Sequence, residues 1–287
     1  MRIDAVALAS LLSTLASAGA VPNYPGYRTL WSDNFAGAAG QKPDSNLWNT
    51  ITNLKTNNDL QEYTTSNSNL QLSGGGTVQI IPRLNRQTNT WTSARIETKA
   101  VFTPAANKIT IFEGSIRFGD HPVHLKQGIW PAFWMLGKAI HQGTPWPQCG
   151  ELDIMETING VPTAYGTVHC GSFPGGPCNE PIGRHGTTGI TPSGWHTYRI
   201  KVDRTAARSG GRWEDEVIDW EVDGRPYYSL RGSEVGDQGV WGTLAHSPMF
   251  LILNVAVGGD WPGAPNAQTQ DSYGSMMEAE YVAVYSS

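Results

Sequence analysis

The sequence predicts an all-β protein, a β-sandwich of antiparallel sheets. Three observations support this fold class: many short alternating or apolar segments separated by turn residues, little helical periodicity, and 33 Gly and 18 Pro with only 16% charged residues. All-β sandwiches of about 200–250 residues commonly form one domain. We therefore expect residues 21–287 to form a single domain.

The short segments can be placed along the chain by their alternation and by the turn residues around them. In chain order, the predicted strands are Thr77–Ile81, Ser93–Lys99, Glu113–Arg117, Ile129–Met135, Glu151–Glu156, Thr167–His169, His196–Val202, Val217–Val222, Met249–Val255 and Tyr281–Tyr285. Asp223-Gly224 is a tight hairpin signal. The last strand is expected to pack near an N-terminal strand around Trp31.

Residues 1–20 have the composition of a secretory signal peptide. Ala5–Ala18 is apolar or small throughout, follows Arg2, and ends in small-residue cleavage sites. No second apolar run of membrane-spanning length follows. We expect a secreted, extracellular protein without a membrane partner. The net charge of −5 also argues against a nucleic-acid partner, because nucleic-acid-binding faces are basic.

The segment from Gly150 to Glu156 carries three carboxylates interleaved with apolar residues. Glu151 and Asp153 keep the period of a strand and should point to one face. Glu156 breaks the period by one residue, so a single-residue bulge after Asp153 would return it to that face. Like charges this close repel unless one holds a proton, and two acids with separated pKa values suit glycosidic-bond hydrolysis. A calcium site or a solvated charged strand is the alternative interpretation.

This acidic segment resembles the signature of glycoside hydrolase family 16, in the version with an extra Met before the last Glu. That version is typical of laminarinase-like enzymes, which cut β-1,3-glucans, and the likeness is closest to secreted fungal endo-β-1,3-glucanases. Other segments that match the family in order are Leu60–Thr64, Thr92–Glu97, Gly128–Gly137 and Leu253–Gly259.

The resemblance makes the fold and function more specific. It implies a jelly roll of two curved antiparallel sheets with a concave substrate cleft. The rims of this cleft would be the loops Asn57–Asp59, Lys138–Trp146, Gly171–Gly189 and Asp260–Tyr273. It also implies retaining endo-hydrolysis of β-1,3-glucan, with mixed β-1,3/1,4-glucan left open. Glu151 would be the nucleophile, Glu156 the acid/base, and Asp153 would hold Glu151.

Aromatic side chains are candidates for stacking against sugar rings. Trp130 and Trp134 are an even number of positions apart and should face the cleft, while Phe133 and Met135 face the core. Weaker candidates in Pro/Gly-rich loops are Trp146, Trp241 and Trp261. The Trp residues expected in the core or at its edges are Trp31, Trp48, Trp91, Trp213 and Trp220.

Two further polar residues are predicted at the site. His169 should return beside the acids on the next strand, with a core histidine as the alternative, and the resemblance implies that Arg95 contacts sugar. No His/Cys cluster has metal-ligand spacing, so we expect no catalytic metal and no cofactor. A structural calcium ion is not expected either, because Asn34 and Glu280 depart from the family's pattern at that site.

Three cysteines allow one disulfide in an oxidising compartment. Cys170 and Cys178 flank a short Pro-Gly-Gly-Pro loop that can bring them together, and the family's fungal members show the same pair. Cys149 would then be a buried thiol. A Cys149–Cys170 bridge is the competing pairing.

Two other functions remain open from sequence. A cell-wall glucan transglycosylase would keep the same acids and transfer the sugar to another sugar. A carbohydrate-binding module on the same fold would lack an acid, and all three are present here. The leading prediction is a monomeric hydrolase with a β-glucan polysaccharide as its only partner.

Overall fold

The computed structural model describes residues 19–206 and 210–287. The predicted signal peptide at 1–20 therefore lies, except for its last two residues, outside the described chain. Within these residues, no helix has the length and apolar character needed to cross a membrane.

β-Strands are the main regular element of the described chain. The strands are β1 (Arg28–Asp33), β2 (Trp48–Thr50), β3 (Gln61–Tyr63), β4 (Leu70–Leu72), β5 (Val78–Ile80), β6 (Arg83–Asn85), β7 (Thr90–Ser93), β8 (Arg95–Thr98), β9 (Ile109–Phe118), β10 (Ile129–Gly137), β11 (Glu151–Glu156), β12 (Thr163–His169), β13 (Arg184–Gly189), β14 (His196–Asp203), β15 (Val217–Val222), β16 (Arg225–Arg231), β17 (Met249–Val257) and β18 (Met277–Ser286). The α-helices are α1 (Gly232–Val235) and α2 (Gln238–Ala245), and 3-10 turns lie at Val123–Leu125, Lys138–Gln142, Trp213–Asp215 and Tyr273–Ser275.

Two large antiparallel sheets face each other across the core. One has seven strands in the order β13-β12-β11-β10-β17-β8-β2. The other has eight, in the order β16-β15-β14-β9-β18-β5-β4 with β1 added beside β18, and a small third sheet joins β3, β7 and β6. This arrangement confirms the β-sandwich, and it is the jelly roll that the resemblance implied.

The core forms from the apolar faces that the two sheets turn toward each other. β17 lies next to the central strand β10 of the seven-stranded sheet and is buried along its whole length. Leu152, Ile154 and Met155 of β11 join the same buried cluster as Phe112 of β9 and Trp220 of β15. Burying the apolar side of β11 leaves its acids on the opposite side, which we call the acidic face.

The predicted hairpin and the predicted pairing of the last strand with the strand around Trp31 are confirmed, and one predicted loop is corrected. Asp223 and Gly224 form the turn between β15 and β16, both with positive φ, and Trp31 of β1 pairs with Val284 of β18. However, the sequence placed Gly171–Gly189 entirely in a loop, and its last six residues form β13. The polar Arg-His-Gly-Thr-Thr-Gly segment gives no apolar alternation, so its pairing with β12 was invisible in the sequence.

The structure joins Cys170 and Cys178 in a disulfide, with their Cα atoms 5.3 Å apart. This is the pairing favoured from sequence. Cys149 is a buried free thiol, so the alternative Cys149–Cys170 bridge is not formed.

Candidate active site

The acidic face is built by a one-residue bulge in β11. On the β12 side, Asp153 pairs with Thr167 and Glu156 with Tyr165, so three steps on β11 match two on β12. The pairing of β11 with β10 shifts at the same place. The predicted bulge is therefore present. It buries Ile154 and Met155 together and returns Glu156 to the face that holds the other acids.

The bulge is held from the opposite sheet by a tryptophan. The indole N–H of Trp220 donates to the backbone carbonyl of Asp153 at 2.8 Å, within the core. A bulge leaves backbone groups outside the regular ladder, and a buried carbonyl needs a partner. Gly166 on β12 makes room for this contact, because a Cβ atom there would lie 2.3 Å from Trp220 Cδ1.

The three carboxylates have different surroundings. Glu156 accepts a hydrogen bond from the Trp130 indole at 2.9 Å. Asp153 is 3% exposed, and its Oδ2 has no hydrogen-bond partner among the described residues. Glu151 is more open, with its side chain 14% exposed.

Burial and mutual repulsion shift the pKa values of all three acids. Burial, opposed by the Trp130 hydrogen bond and reinforced by the Glu151 charge, raises the pKa of Glu156 to about 7. Burial raises the pKa of Asp153 well above its ordinary value, and the two glutamate charges add to the rise. Burial also raises the pKa of Glu151, but the nearby His169 opposes that rise. The site can therefore hold protons at neutral pH, and His169 lowers the cost of ionising Glu151.

His169 lies beside the acids on β12, directly opposite Glu151 in the strand pairing. Its Nε2 is 3.7 Å from Asp153 Oδ2 and 4.0 Å from Glu151 Oε1. On the other side of the ring, Nδ1 is 2.7 Å from Glu180 Oε2. The sequence predicted the position of His169 and missed Glu180, because nothing in the segment after β12 indicates which residue will fold back onto the strand.

Trp130 and Trp134 lie on the acidic side of β10, as their spacing predicted. Both are half-buried, whereas Phe133 and Met135 are fully buried in the core. The Trp134 indole donates to Asn254 Oδ1 at 2.7 Å, so it is anchored to β17 and not to an acid.

Trp261 joins the aromatic group next to Glu156. Its ring packs edge-on against Trp130 at 5.6 Å and against Tyr165 at 5.0 Å, and the residue is 41% exposed. Tyr165 was not predicted from sequence. Tyr165 contacts Trp261 only because a long loop carries Trp261 back over β12.

Arg95 lies on the same side of the sheet and is buried. Its guanidinium forms an ion pair with Glu97 at 2.7 Å and covers the Trp134 ring at 4.7 Å. These contacts fix both side chains. The sugar contact implied by the resemblance stays a prediction.

The other two weaker tryptophan candidates differ in position. Trp146 packs against His169 at 5.4 Å and is 37% exposed, so it lies at the Glu151 end of the acidic face. Trp241 is fully buried in α2 and donates to Glu216, so its candidacy as a sugar-binding residue was wrong. The sequence placed it in a loop because the Gly residues around it hide the short helix.

One described group of side chains has ligand atoms close enough to share a metal ion. Glu151, Asp153 and His169 offer atoms within 4.8 Å of one another. The charges and hydrogen bonds described above account for this grouping, and we assign none of the three as a metal ligand.

Comparison with known proteins identifies the family. The family model described as "XgeA-like, catalytic GH16 domain" matches residues 54–185. The crystal structure of an endo-1,3-beta-glucanase from Streptomyces sioyaensis is similar with a TM-score of 0.86 and 34% identity, covering 93% of this chain and 99% of that one. The chain belongs to glycoside hydrolase family 16.

Curated relatives of this family 16 chain include larger proteins. Glucan endo-1,3-beta-glucosidase A1 of Niallia circulans is 29% identical over 92% of the chain, and the clotting factor G alpha subunit of Tachypleus tridentatus is 28% identical over 91%. The chain spans 38% and 34% of the length of these two relatives.

Proposed function

We propose that this chain is a secreted, monomeric, retaining endo-hydrolase of β-1,3-glucan. The observation that carries the proposal is the bulged strand β11, which gathers Glu151, Asp153 and Glu156 on one face in unequal surroundings. A retaining glycosidase needs one ionised carboxylate and one protonated carboxyl group flanking the same bond. The relative from Streptomyces sioyaensis, named as an endo-1,3-beta-glucanase, supports the substrate class.

The surroundings of the two glutamates support their separate roles. Glu151, whose ionised form His169 favours, attacks the anomeric carbon and forms a covalent glycosyl-enzyme intermediate. Glu156, whose pKa burial raises to about 7, carries the proton that the departing glycosidic oxygen receives. It then removes a proton from the water that hydrolyses the intermediate.

Asp153 lies between them in sequence and tunes both charges. Burial and the glutamate charges raise its pKa, so Asp153 favours the protonated form while its neighbours carry charge. A protonated Asp153 relieves repulsion in the cluster and provides a hydrogen-bond donor for a neighbouring carboxylate.

The aromatic residues on the same face provide surfaces for pyranose rings. Trp130, Trp261 and Tyr165 lie at the Glu156 end. Trp134, farther along β10, packs against Arg95 of β8. Flat apolar faces of this kind stack against sugars by shape and burial, which suits an uncharged polysaccharide.

The test is reducing-end release from a panel of laminarin, lichenan, xyloglucan and agarose. We expect cleavage of laminarin into oligosaccharides and an initial β-anomeric product, seen by proton NMR before mutarotation. Glu156→Gln should abolish cleavage of laminarin, while Glu62→Gln, an exposed carboxylate on β3, should leave it unchanged. Products longer than the starting chains would indicate glycosyl transfer instead, and no cleavage of any β-glucan would contradict the proposal.

A further inference from the structure

Glu180 is a buried acid next to the proposed catalytic group, and the mechanism above gives it no role. Its side chain is 0% exposed, and Oε2 lies 2.7 Å from His169 Nδ1. Its other oxygen, Oε1, accepts the backbone N–H of Cys170 at 2.8 Å. Each carboxylate oxygen therefore has a hydrogen-bond partner. These two contacts hold the Glu180 carboxylate in one orientation beside the imidazole ring.

The loop that carries Glu180 is tied down on both sides. Cys170, the residue after His169, is joined by the disulfide to Cys178, two residues before Glu180. The backbones of Gly175 and Glu180 exchange a pair of hydrogen bonds at 2.8 and 2.7 Å. The closed loop returns the Glu180 side chain to the ring of His169.

Acidic groups face both nitrogens of His169. Glu180 faces Nδ1, and Asp153 and Glu151 face Nε2 at 3.7 and 4.0 Å. A neutral imidazole has one N–H and one unprotonated nitrogen, so it would turn a lone pair toward a carboxylate on one side. Only the imidazolium form has a donor for both the Glu180 carboxylate at Nδ1 and the Glu151 carboxylate at Nε2.

We propose that Glu180 is a positioning residue that keeps His169 in the imidazolium form and aims its Nε2–H at Glu151 and Asp153. The proposal deepens the proposed function and rests on it for its catalytic consequence. A fixed positive charge beside Glu151 stabilises the carboxylate that attacks, and stabilises it again when the covalent intermediate breaks down.

The electrostatics around the ring agree with this arrangement. Burial disfavours the charged imidazolium, but the hydrogen bond to Glu180 and the charges of Glu151, Glu180 and Glu156 outweigh it, so the pKa of His169 is raised. The titratable groups facing the ring are Glu151, Asp153 and Glu156 from β11 and Glu180 from its loop. Trp146 covers one side of the ring.

The direct test is an NMR titration of the His169 imidazole in the substrate-free protein. In the wild type, we expect a pKa above the ordinary value of about 6.5. In Glu180→Gln it should fall by about one unit or more, because an opposite charge at this distance typically shifts a pKa by about 1–3 units. The matched control is Asp223→Asn, which removes the carboxylate 2.7 Å from a different histidine, His196. It should leave the titration of His169 unchanged.

The pH profile of laminarin hydrolysis is the second readout. The charge of His169 lowers the pKa values of Glu151 and Glu156, so losing it should move both limbs of the kcat/KM profile to higher pH. At pH 6, kcat should fall about tenfold with KM changed less than about twofold, because Glu180 does not face the aromatic residues proposed to bind sugar.

Two results would overturn the proposal. One is a wild-type His169 that titrates at or below about 6.5, which needs no variant. The other is a folded Glu180→Gln protein in which the His169 titration and the pH profile are unchanged, whatever its melting temperature. Because the titration needs no substrate, it remains decisive even if the chain fails to cleave β-1,3-glucan.

Discussion

At the scale of single residues, the proton on Glu156 is set by opposing effects. Burial raises its pKa to about 7, and the Trp130 hydrogen bond lowers it. A general acid works in its protonated form, so kcat/KM should fall as pH rises through about 7. The indole N–H that stabilises the carboxylate therefore limits how far the active range extends to alkaline pH.

Replacing Trp130 with Phe should move the basic limb of the kcat/KM profile upward by about half a unit to one unit, because the carboxylate loses a donor. The measurement is initial-rate kinetics from about pH 5 to 9, across the range in which such a carboxyl titrates. Trp134→Phe is the matched control, since Trp134 donates to Asn254, and it should weaken substrate binding without moving that limb. Equal shifts in both variants would show that Trp130 does not tune Glu156.

The residue-level predictions from sequence succeeded where a strand period decides the direction of a side chain. The side of the sheet taken by Trp130 and Trp134 and the position of His169 followed from alternation and from an antiparallel return. Glu180 and Tyr165 were missed, because their positions depend on how loops fold back over a sheet. Local pattern carries no information about such contacts.

At the scale of elements, the bulge in β11 is the feature on which the site depends. Without the extra residue, Met155 would occupy the acidic face and Glu156 the core. The bulge was predictable because a single break in an alternating strand has one simple solution. Its support by Trp220 was not, since that residue lies on the other sheet, far along the chain.

Trp220→Phe should destabilise the fold and impair catalysis together. It leaves the Asp153 carbonyl without its donor in the core, which costs about 1–3 kcal/mol beyond the lost packing. Urea unfolding measures the stability, and laminarin kinetics measure kcat.

Trp241→Phe is the control for this experiment, because Trp241 is also a fully buried indole with an N–H donor, bonded to Glu216 away from the bulge. It should lose similar stability and keep its kcat. If the two variants have the same kcat, Trp220 does not hold the acids in place.

At the scale of the whole molecule, the proposed site reduces the stability of the fold. A carboxyl whose folded pKa is raised binds its proton more tightly in the native state than in the unfolded state. The free energy of unfolding therefore falls as pH rises from the unfolded pKa to the folded one. For Glu156 this window runs from about 4.5 to about 7.

Glu156→Gln should consequently be more stable than the wild type at pH 8, by on the order of 2–3 kcal/mol, and nearly equal to it at pH 4.5. Urea unfolding at the two pH values measures the difference.

Glu216→Gln should change the stability at pH 8 in the opposite direction in the same experiment. Burial opposes ionisation of Glu216, but hydrogen bonds from His246, Trp241 and Arg204 prevail and lower its pKa. That variant should be less stable than the wild type at pH 8, and the deficit should shrink as the pH falls. If Glu156→Gln does not raise the free energy of unfolding at pH 8, the ionised Glu156 carboxylate does not destabilise the fold.

The central claim is that Glu151 is the nucleophile and Glu156 the acid/base, and azide rescue tests it most directly. The substrate is an aryl β-1,3-linked glucobioside whose leaving group needs no proton. With Glu151→Gly, azide takes the place of the missing side chain and attacks the substrate itself, so we predict an α-glycosyl azide. With Glu156→Ala, the covalent intermediate still forms and azide opens it, so we predict a β-glycosyl azide. The proton NMR anomeric coupling identifies each product, and a β product from the Glu151 variant with an α product from the Glu156 variant would contradict the assignment.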